Sequence, residues 1–307
     1  MTVSSARPEP NLTNANLICM LSMLIWASGL PAADHLIPLL APEQLNALRM
    51  LLAAGTLVPF WALMEGTAPL VQVNWLRGIW VGSLIGLGAW LLIEGQSRSG
   101  AVTAAAVAAS LPVVGITIEV VMHGRKLTRA LIIGLLLSLV GGFLALDLSG
   151  GGLSMGYGAL FCFGAIISFA LGSRLTVTAF PDQSSLGRTA VTLTGAAIAS
   201  TAAALLQSAF GSPAPSFAAW GAKEIGALLL FSVGALGISQ ALFIISVERL
   251  GIGLSSLHVN AAPFYVMLII FGLGGPWDWS QVAAACLVAL GVLIAQGLIP
   301  LRWRGRR

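Results

Sequence analysis

A stretch that occurs twice decides the fold of this chain: RSGAVTAAAVAASLP at residues 98–112 and RLGIGLSSLHVNAAP at residues 249–263. In each stretch a glycine follows an arginine by two residues, and a proline follows that glycine by twelve. One shift of about half the 307-residue chain superimposes all three landmarks. Two copies of one apolar unit in a single polypeptide are typical of transporters that are built from internal repeats.

The composition around these stretches is that of a membrane protein. Hydrophobic residues make up 57% of the chain, charged residues make up 8%, and the mean hydropathy is +0.94. Soluble domains carry about 25% charged residues. We therefore expect an integral membrane protein whose surroundings are the lipid bilayer.

Ten apolar runs have the length that a membrane span requires, since a bilayer core of about 30 Å takes roughly 20 helical residues. Short loops with Pro, Gly, Asp or Ser separate these runs. The predicted fold class is an all-α integral membrane protein with ten transmembrane helices, at residues 16–33, 44–64, 76–93, 100–122, 129–146, 155–175, 186–209, 223–247, 251–273 and 280–299.

The two halves of the chain are predicted to have opposite orientations in the membrane. Each half has five helices, an odd number, so the second copy starts from the other side. The loop at residues 123–126 reads HGRK, whereas its counterpart at residues 274–278 reads GGPWD and lacks Lys and Arg. Basic loops favour the cytoplasmic side. The contrast therefore indicates two inverted five-helix repeats.

The placement of basic residues predicts which side each end of the chain occupies. With the amino terminus inside, twelve of the fifteen Lys and Arg residues lie at the cytoplasmic face, and both termini are cytoplasmic. We interpret the four arginines of the basic tail as contacts to anionic lipid, and we expect no nucleic acid, because no basic patch is interleaved with aromatic residues. The predicted organisation is a tail (1–15), a first repeat (16–148), a loop (149–154), a second repeat (155–299) and the basic tail (300–307).

Several short motifs resemble a known family by their order along the chain. They are LIWASG at residues 24–29, LRMLL at 48–52, SGA at 99–101, LP at 111–112, LT at 127–128, GG at 141–142, ERLG at 248–251, AP at 262–263 and LGV at 290–292. In this order they resemble the drug/metabolite transporter superfamily, in its ten-helix branch with two EamA-type domains. Within that branch the chain resembles the YddG-type exporters of amino acids, including aromatic ones.

One position departs from the family pattern. Members often carry a Gly-Glu pair just after helices 4 and 9, where this chain has Gly124-Arg125 and Gly275-Pro276. A coupling role that the family assigns to that glutamate therefore does not carry over to this chain.

Polar residues inside predicted spans are the first candidates for function, because such residues are costly in lipid. Ser256, His258 and Asn260 lie in the ninth span, and Gln240 lies in the eighth. Ser256 and Asn260 are four residues apart and share a helix face. Both substrate binding and hydrogen bonding between helices fit these side chains. His258 is also the candidate for proton coupling, since histidine changes charge near neutral pH.

Two tryptophans and the scarcity of deep charges bear on the substrate. Trp26 and Trp90 lie within predicted spans, where their rings either stack on an apolar substrate or pack against lipid and core. Apart from Arg49, no Lys or Arg lies deep in a span, and a phosphorylated substrate would need such fixed cations. Neutral or zwitterionic small molecules therefore fit best.

Four further residues are assigned to the mouth of the pathway or to helix geometry. Arg49 lies about one turn into the second span, where it snorkels to the outer surface, pairs with Glu94 or binds a substrate carboxylate. Pro112 and Pro263 each remove a backbone N–H. The backbone carbonyl one turn earlier then lacks its helical donor. It either faces a cavity, or the helix kinks there and packs against its neighbours.

Residues and resemblance together predict an inner-membrane exporter of amino acids and related neutral or zwitterionic metabolites, which works as a monomer by alternating access. A multidrug exporter of neutral amphiphiles is the alternative. A remote alternative, an intramembrane enzyme, would need an acidic pair, a Ser/His arrangement or a metal cluster. Ser256 and His258 face apart on a helix, and Cys19, Cys162 and Cys286 lie singly in apolar runs. We therefore expect no enzyme activity, metal site or cofactor.

Overall fold

The structure of the protein, a computed structural model, describes residues 12–144, 156–211, 215–218, 220–272, 274 and 277–299. The helices are α1 (Leu12–Leu36), α2 (Pro42–Glu65), α3 (Ala68–Gln72), α4 (Trp75–Ala108), α5 (Leu111–His123), α6 (Arg129–Leu144), α7 (Tyr157–Ala179), α8 (Ser185–Ala209), α9 (Ala222–Leu229), α10 (Ser239–Leu250), α11 (Ile252–Ser256), α12 (Ala262–Gly272) and α13 (Trp279–Ala295). A π-helical segment, Leu230–Ile238, joins α9 to α10, and a 3₁₀ segment, Leu257–Ala261, joins α11 to α12.

The predicted loop between the repeats (149–154), the basic tail (300–307), Gly275-Pro276 and most of the amino-terminal tail (1–15) lie outside the described residues. Their organisation therefore stays a prediction.

Within the part of the chain that the structure describes, six helical segments are long and apolar enough to cross a bilayer: Leu12–Ala33, Pro42–Glu65, Trp75–Arg98, Tyr157–Ala179, Ser185–Ala209 and Ala222–Leu250. Shorter apolar helices occur at Leu111–His123, Arg129–Gly141 and Val282–Ala295. In each half of the chain, three long segments are followed by shorter ones. Each of the ten predicted spans contains helix, but the number of segments that cross the bilayer stays a prediction.

Helix α4 differs from the prediction, because it stays helical through residues 98–100, where we expected one span to end and the next to begin. The alanine-rich run after Gly100 has high helix propensity and contains no proline, so helical hydrogen bonding persists. Ile85 and Ala108 nevertheless line the same cavity. A straight helix between these two positions would span about 35 Å. We conclude that α4 bends sharply between them and that the chain reverses without a loop.

In the second copy of the repeated stretch the helix ends at the glycine, whereas in the first copy it continues through Gly100. Gly251 has a φ of +82°, which favours glycine, and α10 ends at Leu250. The prolines, in contrast, take equivalent places. Pro112 is the second residue of α5, which follows a turn, and Pro263 is the second residue of α12, which follows the 3₁₀ segment. At Pro112 proline fits because an N–H in the first turn of a helix has no intrahelical acceptor. Pro112 thus follows a turn, whereas Pro263 lies where 3₁₀ hydrogen bonding changes to α-helical hydrogen bonding within one helical run, residues 252–272.

Helices of the first half pack against helices of the second throughout the bundle. α4 packs on α7 and α8, α2 packs on α8, α1 packs on the π-helical segment and α10, α5 packs on α11, and α6 packs on α13. Glycine permits the closest approaches: a Cβ on Gly134 in α6 would lie 2.4 Å from the carbonyl oxygen of Gly291 in α13. A Cβ on Gly195 in α8 would lie 2.1 Å from the carbonyl oxygen of Gly78 in α4. Small residues allow membrane helices to pack in this way.

The outside of the bundle is apolar. Leu63, Val71 and Trp80 are mostly exposed, whereas Trp61 and Phe243 are almost fully buried. An apolar exterior of this kind is stable in contact with lipid and not with water.

Candidate functional site

A cavity lies between the two halves in the centre of the bundle. It contains about 800 Å³ of empty space, its open mouth included. Residues of α1, α2, α4, α5, α7, the π-helical segment, α10 and the 3₁₀ segment form its wall. We call this space the central cavity.

Most of the wall of the central cavity is apolar. Met23, Leu92, Phe169 and Phe243 contribute apolar side chains from four different helices. The rings of Phe169 and Phe243 stack with their centroids 5.8 Å apart and an interplanar angle of 29°. An apolar side chain of a ligand would be removed from water here, at about 25 cal/mol per Å².

Polar groups on the wall are few. Ser239 is already engaged with α1, because its hydroxyl donates to the carbonyl of Ser22 at 3.0 Å and the Ser22 hydroxyl donates to the Ser239 carbonyl at 2.8 Å. Gln240 is buried on the wall, and no described residue makes a hydrogen bond with its amide. Gln240 is therefore free to bond a ligand, as is the indole of Trp26, which also lines the cavity.

Arg49 carries the positive charge of the described wall. Its side chain is buried, and its Cζ atom lies 4.1 Å from the centroid of the Phe231 ring. The expected pairing with Glu94 is not formed, because the Glu94 carboxylate accepts a hydrogen bond from Nε of Arg98 at 2.7 Å. Arg98 follows Glu94 by four residues on α4, so the local pair is favoured. The expected snorkelling is not observed either, since Arg49 faces the central cavity.

The π-helical segment positions the ring beneath Arg49. π-Helical turns are rare and occur frequently at functional sites. This segment supplies Phe231 to Arg49 and contributes Ala235 and Leu236 to the wall. Sequence reasoning missed these residues. The only local sign was a pair of glycines, Gly234 and Gly237, within an apolar run.

The two tryptophans singled out from the sequence lie in different places. Trp26 lines the central cavity, whereas Trp90 lines a second pocket together with Glu43, Asn46 and Gln207. The Trp90 ring meets Phe161 edge-on, with centroids 6.4 Å apart. The structure therefore does not bring Trp26 and Trp90 to one site.

The polar cluster of the predicted ninth span does not line the central cavity, to which this segment contributes Val259. Ser256, His258 and Asn260 are all buried. The Ser256 hydroxyl donates to the carbonyl of Gly253 at 2.9 Å. The Asn260 amide donates to the Ser138 hydroxyl on α6 at 3.0 Å. In this structure the cluster makes hydrogen bonds within and between helices, and its contact with a substrate stays a prediction.

Polar side chains link the halves at the end of the bundle where α5 ends. Glu119 pairs with Arg125 and accepts a hydrogen bond from the backbone N–H of Gly253 at 3.0 Å. At the same end, the Ser184 hydroxyl donates to the Glu65 carboxylate at 2.7 Å. Both hydrogen bonds connect a helix end of the first half to a helix start of the second.

The described part of the chain contains no candidate metal site. No three or more of its His, Cys, Asp or Glu side chains lie close enough together to hold an ion. Cys19 and Cys162 are buried and free. Cys286, which also lies in an apolar run of the sequence, is exposed on α13.

Comparison with known proteins gives a family match for the first half and a fold match for the whole. Residues 13–146 match the sequence model of the EamA-like transporter family, so an EamA-like domain is present there. No curated protein sequence matches the chain significantly. One solved structure, described only as the crystal structure of a protein, superimposes with a TM-score of 0.73 at 21% identity. The match covers 93% of this chain and 97% of the other, so the two share a fold.

Proposed function

We propose that this protein is an exporter of amino acids, including apolar and aromatic ones, and of related small neutral or zwitterionic metabolites. The observation that carries the proposal is the central cavity, whose wall contains residues of both halves of an apolar helical bundle. An EamA-like transporter domain in residues 13–146 supports a transport function. Both features are expected of a carrier whose substrate binds between two repeats.

The packing of the helices supports an inverted repeat. If α1, α2, α4, α5 and α6 correspond in order to α7, α8, α9–α10, α11–α12 and α13, then three observed contacts join a helix to its own counterpart. These are α2 with α8, α5 with α11, and α6 with α13. The contact of α4 with α7 likewise corresponds to that of α10 with α1. A pseudo-twofold axis in the membrane plane produces such a pattern, and we propose that the repeats rock about the cavity to give alternating access.

The chemistry of the wall supports the proposed substrate class. Met23, Phe169 and Phe243 suit an apolar or aromatic side chain, and Trp26 and Gln240 provide groups for stacking and hydrogen bonding. Ser256, His258 and Asn260 would reach the substrate only in another conformation. His258 remains our candidate for proton coupling, with downhill export as the alternative. We place the protein in the inner membrane as a monomer with both termini in the cytoplasm.

A multidrug exporter of neutral amphiphiles is the second candidate. The second pocket favours it, because it places the Trp90 ring and the Glu43 carboxylate at a site distinct from the central cavity. A range of amphiphiles would find apolar contacts in either place.

The test is transport by the purified full-length protein in proteoliposomes, with labelled amino acids and neutral dyes, with and without an imposed pH gradient. We expect saturable movement of apolar and aromatic amino acids. The variant Ala89→Phe, which fills the central cavity, should abolish transport, whereas Val121→Phe on the exposed face of α5 should not. The variant His258→Gln should lose any response to the gradient. Failure of every amino acid to cross, with dyes crossing instead, would replace this proposal by the second candidate.

A further inference from the structure

We infer that Arg49 recognises the substrate by binding its carboxylate in the central cavity, an inference that rests on the transport function proposed above. Arg49 lines the cavity from α2 and is 6% exposed. A guanidinium in such a place has lost most of its hydration, so an anion with good hydrogen-bond geometry is needed to offset the cost.

The described carboxylates of the neighbouring helices do not supply that anion. Glu94 bonds to Arg98. Glu224 accepts a hydrogen bond from the Gly221 N–H at 2.8 Å and lies 3.0 Å from His35. Among the described residues that form the wall of the central cavity, none is Asp or Glu. Among the described side chains Arg49 therefore has no counter-ion, and we infer that the ligand brings it.

The Phe231 ring contacts the guanidinium of Arg49 without taking up its hydrogen-bond donors. Its centroid lies 4.1 Å from Cζ, which is a cation–π contact. A cation–π contact uses none of the N–H groups as hydrogen-bond donors to a protein acceptor, so these donors stay available to a ligand. Nε is buried without an acceptor, and no described residue accepts a hydrogen bond from the other donors. A carboxylate matches these parallel donors in a two-point contact.

The rest of the wall defines the other half of the ligand. Phe169, Phe243 and Trp26 offer apolar and aromatic surface to the body of the molecule. One cation in an apolar cavity matches a single negative charge, so a doubly charged phosphate would retain an unpaired charge. The ligand class is a monocarboxylate with an apolar or aromatic body, and the apolar and aromatic amino acids are members of that class.

The experiment measures binding and transport separately. Binding is the rise in the unfolding temperature of the purified protein in detergent with L-phenylalanine, 3-phenylpropionate or L-phenylalaninamide, since a ligand of the folded state stabilises it. Transport is counterflow of labelled L-phenylalanine in proteoliposomes. In the unsubstituted protein, we expect the two carboxylates to bind about 10- to 100-fold more tightly than the amide, because charged hydrogen bonds are lost with the amide.

Three variants assign the effect to Arg49. In Arg49→Gln, L-phenylalanine and 3-phenylpropionate should no longer bind more tightly than L-phenylalaninamide, whose affinity should not change. Arg49→Lys should lie between, because lysine keeps the charge without the planar pair of donors. Arg98→Gln is the matched control, since Arg98 pairs with Glu94 at a more exposed place, and it should bind as the unsubstituted protein does.

Each outcome separates this inference from the proposed function. Equal binding of phenylalanine and its amide by the unsubstituted protein would overturn the role of Arg49, even where Arg49→Gln does not fold and even where transport is seen. Absence of binding by every carboxylate would overturn it as well. Tight, Arg49-dependent binding of 3-phenylpropionate without transport of any amino acid would leave the inference standing and remove the proposed function.

Discussion

The carboxylate of Glu119 accepts a hydrogen bond from the backbone N–H of Gly253 at 3.0 Å, and it thereby joins α5 of the first half to α11 of the second. The same carboxylate pairs with Arg125. Gly251 lies against it: a Cβ at this residue would lie 2.3 Å from Oε1 of Glu119, and its φ is +82°. One acidic side chain and one glycine thus fix the start of the second copy of the repeated stretch against the first half.

Removal of the Glu119 carboxylate should destabilise the fold. We expect Glu119→Ala to lower the free energy of unfolding by about 1.5–3 kcal/mol, since it removes a buried hydrogen bond to a charged group. Glu119→Gln keeps an acceptor for Gly253 and should cost less. Thermal unfolding in detergent measures both. Glu94→Gln, which breaks a more exposed pair with Arg98, is the control and should change stability by less than about 1 kcal/mol. An unchanged unfolding temperature for Glu119→Ala would count against the link.

Substitution at a helix contact should separate α6 from α13. Gly134→Ala places a Cβ 2.4 Å from the carbonyl oxygen of Gly291, so one helix must move. We expect a loss of about 1–3 kcal/mol, as for an overpacked core. Gly55→Ala in α2 is the matched control, because nothing lies within 4 Å of its Cβ position. That variant should be neutral or more stable by up to about 1 kcal/mol, since alanine is the better helix former. Equal effects of the two substitutions would contradict the close contact.

The two tryptophans should differ in their effect on transport. Trp26→Ala removes an aromatic wall of the central cavity, and we expect the KM for phenylalanine to rise about tenfold, since a ring–ring contact contributes up to about 1.5 kcal/mol. Trp90→Ala alters the second pocket and should change this KM by less than about twofold. Initial rates over a range of phenylalanine concentrations decide the question. A larger effect from Trp90 would move the substrate site to the second pocket.

The hydrogen bond between Asn260 and Ser138 should couple the stability of α6 to that of the 3₁₀ segment. A double-mutant cycle with Ser138→Ala and Asn260→Ala should give a coupling free energy of about 0.6–1 kcal/mol in unfolding. The KM of transport for Asn260→Ala serves as the second readout. Additive stabilities together with a raised KM would instead support the substrate contact that the sequence predicts.

Local sequence accounts for the helices and for several of their ends. Apolar runs of membrane length require helices, because no water is present to bond the backbone. Pro112 lies in the first turn of α5, where the backbone N–H that proline lacks would have no intrahelical acceptor. The alanine-rich run after Gly100 also explains, in retrospect, why α4 continues where Gly251 ends α10.

The faces of the helices could not be predicted in the same way. In a membrane protein both the lipid side and the interior of a helix are apolar, so periodicity does not distinguish them. Trp26 and Trp90 look alike in the sequence, yet they line different pockets. The polar cluster around His258 was the strongest signal of the ninth span, and it lies away from the central cavity.

The sequence by itself determined that this protein is an apolar helical bundle with a stretch repeated between its halves, because composition, span length and proline position act locally. Only the tertiary structure decided what Arg49 faces. Its partner Phe231 is far away in the chain, on the π-helical segment Leu230–Ile238, and only the packing of that segment against α2 brings the ring to the guanidinium. A cavity forms only where several helices pack around a space, so the local sequence of one helix does not determine it.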